Sequence, residues 1–140
     1  MIRIGVTGAA GRMGSTIIRL AGANKEFSVQ GAFEHAGHPA LGKSAADKAV
    51  ITDLKSSSLK GLDVLIDFTA PEATVQHAGI CADSKCGIVI GTTGLTPEQN
   101  KKIQGYAEKI PVLMSPNMSL GANLIFKLAK EAARLVLSVS

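Results

Sequence analysis

Three glycines at every third position, within the stretch GAAGRMG, have the spacing in this sequence that points most directly to chemistry. Gly8, Gly11 and Gly14 follow a short apolar run and come just before a helix-like pattern. Glycine loses more backbone freedom on folding than any other residue, so three at a fixed spacing indicate a close approach to the backbone. A helix N-terminus behind such a loop binds phosphate through its free N–H groups and its dipole. The stretch therefore predicts a pyrophosphate site. Because the spacing is GxxGxxG and not the strict GxGxxG, a tight strand-to-helix turn without a ligand is the alternative.

An acidic residue, Glu34, ends the second predicted strand and lies twenty residues after Gly14. At about this interval a carboxylate typically binds the ribose hydroxyls in the adenosine half of a dinucleotide. A solvated carboxylate at a strand end is the alternative, but the two signals together predict a dinucleotide site. A carboxylate also repels a 2′-phosphate, although His35 and Arg12 lie where they can partly offset that repulsion. We therefore expect NADH to bind at least as well as NADPH.

Buried-strand patterns alternate with helical patterns along the chain. Strands are predicted at residues 2–7, 27–33, 49–52, 62–68, 87–90 and 111–114. Helices are predicted at residues 12–23, 71–83 and 120–136, and a further helix starts at Pro97 with Thr96 as its N-cap. Residues 37–48 are small and polar and predict a loop with room for one helical turn.

This order of elements predicts an α/β fold, a Rossmann-like doubly wound parallel sheet in three layers, α/β/α. Ligands of such sheets bind beyond the carboxyl ends of the strands, near the point where the strand order reverses. The candidate site therefore consists of the positions that follow each predicted strand, which are residues 8–14, 34, 68–70, 91–94 and 115–119.

Composition excludes several other classes of protein. The chain has 140 residues, of which 46% are apolar, and a formal net charge of +4, which suits one domain with a real core. No apolar run reaches the roughly 18 residues of a membrane span, and the scattered lysines lack interleaved aromatic residues, so we expect neither a membrane nor a nucleic-acid partner. Cys81 and Cys86 are five residues apart, without metal-ligand spacing. We expect two reduced, buried thiols, no metal site and a cytoplasmic protein.

Three further stretches lie at predicted strand ends: DFTAPE from Asp67, GTTG from Gly91 and SPNMSLGAN from Ser115. Together with GAAGRMG, in this order, they resemble the dihydrodipicolinate reductases, also named 4-hydroxy-tetrahydrodipicolinate reductases, of the bacterial lysine and diaminopimelate pathway. The resemblance spans essentially the whole chain. It implies an oxidoreductase that uses NADH or NADPH to reduce a cyclic imine dicarboxylate to tetrahydrodipicolinate, and a homotetramer for the full enzyme.

The resemblance also implies a role for each motif. The pyrophosphate would be lined by Gly8, Ala10, Gly11, Arg12 and Met13. The adenine ribose would be held by Glu34, and the middle of the cofactor would lie along Phe68 and Thr69. The nicotinamide would meet Gly91, Thr92 and Thr93, with Thr93 also at the edge of the substrate. The nicotinamide carboxamide would be covered by Ser115, Pro116, Asn117 and Met118, a loop that otherwise simply leads to a helix capped by Ser119.

The sequence also departs from the pattern of these reductases. They carry a second domain in which an HHxxKxDAPSGT-like segment binds the dicarboxylate and supplies a histidine acid and a lysine, and no such segment occurs here. We therefore expect residues 1–140 to be the dinucleotide-binding domain ending in the hinge helix, without the substrate and tetramerisation domain. Such a chain would hold no catalytic residue and would bind cofactor without turnover. We interpret His35, His38 and His77 as ordinary polar residues. Ala70 stands where many relatives have a basic residue, which weakens any 2′-phosphate contact.

Two other functions remain open on the sequence. The first is another Rossmann dehydrogenase, such as an aspartate-semialdehyde or sugar dehydrogenase. An aspartate-semialdehyde dehydrogenase uses a catalytic cysteine, whereas Cys81 and Cys86 lie in or beside a predicted helix and not at the carboxyl end of a strand. The second is a module that senses NAD(H) without catalysis, which the missing acid and lysine would suit.

Overall fold

Seven strands and four helices occur in the computed structural model of the chain, which describes residues 1–46, 49–115 and 121–139. The strands are β1 (Ile2–Thr7), β2 (Phe27–Glu34), β3 (Ser44–Ala46), β4 (Ala49–Asp53), β5 (Val64–Asp67), β6 (Gly87–Ile90) and β7 (Val112–Met114). The helices are α1 (Arg12–Gly22), α2 (Pro71–Ser84), α3 (Pro97–Tyr106) and α4 (Gly121–Val139), and a 3-10 turn at Ser56–Leu59 precedes β5. Within these ranges no helix has the length and apolarity needed to cross a membrane.

One sheet contains all seven strands in the order β3-β4-β2-β1-β5-β6-β7. Every neighbouring pair is parallel except β3 and β4, which are antiparallel. The chain first builds outward from β1 through β2 to β4 and then crosses to β5 on the other side of β1. The predicted doubly wound α/β fold is confirmed, and the strand order reverses between β1 and β5, where such sheets bind ligands.

The prediction of a loop over residues 37–48 was wrong at Ser44–Ala46, which form the edge strand β3. Three small residues are too few to show a period-two pattern, so no sequence signal marks them. They become a strand because the outer edge of β4 offers unpaired backbone groups. The Ile51 N–H donates to the Lys43 carbonyl at 2.8 Å, and the Gly42 N–H donates to the Ile51 carbonyl at 2.8 Å.

The apolar core lies in two layers, one on each face of the sheet. Helices α1 and α4 cover one face, where Ile17 and Phe126 belong to one buried cluster. Helices α2 and α3 cover the other face, where Ala78 and Ile103 belong to a second cluster. The predicted three-layer arrangement is therefore confirmed. The parallel strands between the two helix layers have their carboxyl ends at the same edge of the sheet.

Two helices begin where proline predicts. Pro71 opens α2 and Pro97 opens α3, each in the first turn, where the missing N–H group has no helical partner to lose. Thr96 caps α3, since its side chain accepts from the Gln99 N–H while the Gln99 side chain accepts from the Thr96 N–H. These local signals place the start of α2 directly behind the loop that follows β5.

Candidate functional site

The glycine loop, residues 8–14, connects β1 to α1 at the centre of the sheet. Gly8 has φ of +65°, in the left-handed region that favours glycine, and a Cβ atom there would lie 2.7 Å from the Phe68 carbonyl oxygen. A Cβ atom on Gly14 would lie 2.0 Å from the Gly8 carbonyl oxygen. Close packing of the chain on itself therefore requires two of the three glycines, and this internal packing keeps the loop tight.

Gly11 is the N-cap of α1 and makes no side-chain hydrogen bond to the first turn. The Gly11 carbonyl accepts from the Ser15 N–H at 3.0 Å, so the helix begins regularly. The first N–H groups of a helix have no partner within the helix, and a glycine cap leaves them without a competing side chain. This helix end can therefore receive an anionic group.

A cavity of about 250 Å³, the loop cavity, lies against this helix end. It brings together predicted site residues from the ends of three strands, and it is lined by Gly8, Gly11, Arg12, Met13, Gly14, Phe68, Thr69, Gly91, Thr92 and Thr93. Thr93 is exposed and Thr92 is buried within this set. These residues are up to 85 positions apart in the sequence, and the carboxyl edge of the sheet brings them together in the wall of the loop cavity.

A second cavity of about 280 Å³, the edge cavity, opens beside the ends of β2 and β5. It is lined by Thr7, Gly8, Phe33, Glu34, His35, Leu54, Phe68, Thr69, Ala70, Ala73 and His77. Gly8, Phe68 and Thr69 border both cavities. An elongated ligand can therefore run from one cavity into the other over these three residues.

Glu34 connects the end of β2 to the glycine loop. Its Oε1 atom accepts from the Ala10 N–H at 2.9 Å, and its side chain is only 10% exposed. Its Oε2 atom lies 3.9 Å from Nε2 of His38. Ala10 borders neither cavity and faces a wider depression of about 590 Å³ that is also lined by Arg19 and Lys43. One oxygen of Glu34 thus holds the loop in place, and the other lies near His38.

Phe68 forms the wall between the two cavities. A Cβ atom on Gly91 would lie 2.1 Å from the Phe68 ring, so the ring rests against the backbone of the loop that follows β6. The Thr69 N–H donates to Oγ1 of Thr92 at 2.9 Å, and Oγ1 of Thr74 donates to the same atom at 2.8 Å. These contacts join the loops after β5 and β6 into one surface.

Asp67, the last residue of β5, is fully buried beneath this surface, and sequence reasoning did not place it in the site. Its Oδ1 atom accepts hydrogen bonds from the Thr7 hydroxyl, from the Thr69 hydroxyl at 2.8 Å and from Nδ1 of His77 at 3.2 Å. Its Oδ2 atom is buried without a hydrogen-bond partner. Burial would raise the pKa of Asp67, but the hydrogen bond and charge of His77, with the hydroxyl of Thr7, hold it below its ordinary value. Asp67 therefore fixes three residues that line the edge cavity, and no local sequence pattern marks its carboxylate as buried.

The fourth predicted loop is described only at its start. Ser115 follows β7, is buried, and its N–H donates to the Ile90 carbonyl at 2.9 Å. This places it at the same carboxyl edge as the other loops. Pro116, Asn117 and Met118 lie outside the described residues, as does Ser119.

The two cysteines are free and buried, as predicted. Cys81 lies in α2, and a hydrogen bond with Cys86 and burial raise its pKa well above the ordinary value. A thiolate is the nucleophilic form of cysteine, so a raised pKa disfavours covalent chemistry at Cys81.

The chain matches known proteins along most of its length. The sequence profile of the family described as dihydrodipicolinate reductase, N-terminus, matches residues 2–118. A 4-hydroxy-tetrahydrodipicolinate reductase of Anaeromyxobacter dehalogenans (strain 2CP-C) is 48% identical over 144 residues, which cover 97% of this chain and 53% of that protein. One from Syntrophotalea carbinolica is 43% identical, with 97% and 54% covered. The chain thus spans about half the length of the curated relatives it matches.

Solved structures agree with this match. The dipicolinate-bound dihydrodipicolinate reductase from Paenisporosarcina sp. TG-14 superimposes with a TM-score of 0.72 at 29% identity, covering 95% of this chain and 54% of that one. A homoserine dehydrogenase of S. aureus superimposes with a TM-score of 0.64 at 13% identity, covering 81% of this chain and 32% of that one, and shares the fold alone. With the fold, the loops after β1, β5 and β6 at one sheet edge and these matches taken together, the chain belongs to the dihydrodipicolinate reductase family, in its N-terminal part.

Proposed function

We propose that this chain binds a nicotinamide dinucleotide across the loop and edge cavities, as the cofactor-binding half of a 4-hydroxy-tetrahydrodipicolinate reductase. One observation carries the proposal. The glycine loop lies between two cavities that share a wall, and Glu34 holds that loop through the Ala10 N–H at 2.9 Å. The arrangement stands at the reversal of strand order, where doubly wound sheets bind dinucleotides.

Each part of the cofactor has a place in this arrangement. The diphosphate lies in the loop cavity, where the first turn of α1 offers its N–H groups. The adenosine end lies in the edge cavity, where Oε2 of Glu34 accepts from the ribose hydroxyls and Leu54, Ala70 and Ala73 provide an apolar wall for the base. The nicotinamide end extends past Thr92 toward the loop that starts at Ser115.

The bound cofactor supplies a hydride. The residues of this chain would hold the cofactor and orient its nicotinamide ring, with Gly91, Thr92 and Thr93 of the loop after β6 in the wall of the loop cavity. We assign the substrate dicarboxylate, the proton donor and the tetramer contacts of the full reductase to a second domain beyond residues 1–140. The chain alone then binds cofactor without turnover. Turnover of the substrate by the purified 140-residue chain at an ordinary enzymatic rate would overturn this division of roles. A cytoplasmic location stays a prediction.

The two alternative functions are less well supported. An aspartate-semialdehyde type of chemistry needs a reactive cysteine, whereas Cys81 lies buried within α2 with a raised pKa. A sensor of NAD(H) without catalysis would use the same two cavities, so binding experiments alone do not separate it from the reductase. Full-length relatives named as reductases favour the enzyme.

Glu34 and Ala70 support NADH binding that is at least as tight as NADPH binding. A carboxylate at the ribose repels a 2′-phosphate, and Ala70 in the edge cavity provides no positive charge to hold it. We expect NADH to bind at least as tightly as NADPH in fluorescence titrations of the chain at constant ionic strength. A tenfold preference for NADPH, about 1.4 kcal/mol, would contradict this expectation.

Replacing the Glu34 carboxylate tests the proposed binding mode. Glu34→Gln keeps an oxygen for the Ala10 N–H, so the loop retains its support, but it removes the negative charge beside the ribose. We expect NADH affinity to fall about tenfold, in line with a lost hydrogen bond to a charged group, and the preference between cofactors to shift toward NADPH. Titration of both cofactors into both proteins measures the two effects.

The matched control is Glu72→Gln, which changes an exposed carboxylate in the first turn of α2. Its cofactor affinities should equal those of the parent chain. Equal NADH affinity in Glu34→Gln and Glu72→Gln would place the ribose elsewhere and refute the proposed binding mode.

A further inference from the structure

We propose that Glu34, His35 and His38 form a binding site for a divalent transition metal of the Zn²⁺ type at the rim of the edge cavity. Each of the three side chains offers a ligand atom, and these three atoms lie within 4.8 Å of one another. In the sequence they form the pattern EHxxH, in which Glu34 was predicted to hold the ribose and the two histidines were interpreted as ordinary polar residues. Two imidazoles with one carboxylate make a donor set that suits zinc, whereas magnesium and calcium prefer oxygen ligands.

The three groups face one another without satisfying one another. The distance of 3.9 Å between Oε2 of Glu34 and Nε2 of His38 exceeds that of a hydrogen bond. The rings of His35 and His38 meet edge to face, with centroids 5.0 Å apart. A tetrahedral zinc ion with ligands at about 2.0–2.2 Å separates its ligand atoms by about 3.4 Å. Side-chain movements on the order of 1 Å therefore convert this arrangement into three ligands of one ion.

Two of the ligands are already supported by the backbone. Nδ1 of His35 lies 3.0 Å from the Ala36 carbonyl, so Nδ1–H donates there and Nε2 keeps its lone pair for a metal. Oε1 of Glu34 is held by the Ala10 N–H at 2.9 Å, which leaves Oε2 to coordinate. Such outer hydrogen bonds orient metal ligands and increase affinity.

The third ligand requires a proton shift. Nδ1 of His38 accepts from the Ala40 N–H at 3.0 Å, so Nε2 carries the ring proton when no metal is bound. Coordination through Nε2 moves that proton to Nδ1, and the Ala40 N–H then donates to water. With three protein ligands at a partly exposed rim, water takes the fourth position. We therefore expect reversible binding, weaker than that of a structural zinc site with four protein ligands.

Metal binding has a consequence that rests on the proposed function. The ion uses the same Oε2 of Glu34 that the ribose needs, so zinc and NADH exclude each other at this carboxylate. By mutual linkage, each weakens the apparent affinity of the other. Free zinc then acts as a competitive inhibitor of cofactor binding.

Calorimetric titration of the chain with ZnCl₂ in a non-chelating buffer tests the site without any cofactor. We expect one equivalent to bind, and His35→Gln and His38→Gln each to weaken it at least about tenfold. Glu72→Gln, an exposed change in α2 away from the cluster, should leave zinc affinity unchanged. Circular dichroism checks that each variant is folded. Titration with Co²⁺ adds a visible absorption band that reports coordination by nitrogen ligands.

Several results would overturn the metal site. One is the absence of saturable zinc binding near one equivalent. Another is equal zinc affinity in the parent chain, His35→Gln and His38→Gln. NADH titrations with and without one equivalent of zinc test the competition, and an unchanged NADH affinity in zinc-saturated chain refutes it. If NADH fails to bind even without zinc, the proposed function fails, while the zinc titration still decides the metal site.

Discussion

Replacement of Gly14 by alanine should destabilise the chain by about 3 kcal/mol or more and eliminate measurable NADH binding. The new Cβ atom would lie 2.0 Å from the Gly8 carbonyl oxygen, 2.7 Å from its carbon and 3.0 Å from Cα of Ala9. All three are backbone atoms, so no side-chain rotation relieves the clash. The glycine loop must move away from α1, and the loop cavity changes shape with it. Urea denaturation followed by circular dichroism measures the stability, and fluorescence titration measures the binding.

Gly22→Ala is the matched control, because Gly22 lies in the same helix and a Cβ atom there meets nothing within 4 Å. Alanine should stabilise the chain there by about 0.4–1 kcal/mol, since it reduces the freedom of the unfolded state. NADH affinity should stay unchanged. If Gly14→Ala unfolds at the same urea concentration as the parent chain and binds NADH equally well, the structural account of the loop is wrong.

Replacement of Asp67 by alanine should cost about 3 kcal/mol of unfolding free energy at pH 7. The change leaves the hydroxyls of Thr7 and Thr69 and Nδ1 of His77 without their shared acceptor. Asp67 is fully buried, so water cannot replace the carboxylate without opening the sheet edge. The unpartnered Oδ2 atom offsets part of the loss, because a buried oxygen without a partner is itself destabilising. Asp83→Ala, an exposed change in the last turn of α2, should stay within about 0.5 kcal/mol of the parent chain.

The Asp67 contribution should also depend on pH in a defined direction. The folded chain holds the pKa of Asp67 below the ordinary value of about 4 that it has in the unfolded chain. The carboxylate therefore stabilises the fold fully above about pH 4 and loses this effect as pH falls through the lower, folded value. The difference in unfolding free energy between the parent chain and Asp67→Ala should thus shrink as pH falls below about pH 4. A difference that instead grows on acidification would contradict the lowered pKa.

Asp67→Ala should weaken cofactor binding as well. Its carboxylate orients Thr69 and His77, which both line the edge cavity. If Asp67→Ala loses stability but binds NADH as tightly as the parent chain under conditions where both are folded, Asp67 stabilises the fold and has no role in cofactor binding.

Local sequence signals predicted most of this architecture. Pro71 and Pro97 start helices because a residue in the first turn needs no partner for its N–H group. The apolar runs of β1 and β6 are short and continuous because helices cover both faces of these central strands. Because parallel strands share one carboxyl edge, the strand order also predicted which loops meet. The loop cavity collects predicted residues for this reason.

Non-local contacts escaped prediction. Strand β3 has three residues and exists because β4 offers it an edge. Asp67 meets Thr7 across 60 residues of sequence, and no local pattern distinguishes this buried carboxylate from an exposed one. The histidines were interpreted separately, whereas the turn after β2 directs His35 and His38 toward the carboxylate of Glu34.

By itself, the sequence determined the class of fold, the glycine loop, the strand ends that carry the candidate site and the resemblance to a reductase family, because these depend on residue type and on spacing along the chain. Only the tertiary structure decided which polar groups share a partner, which carboxylate is buried and which histidines converge. Hydrogen bonding and burial depend on distances in space, and folding sets those distances between residues that the sequence keeps far apart.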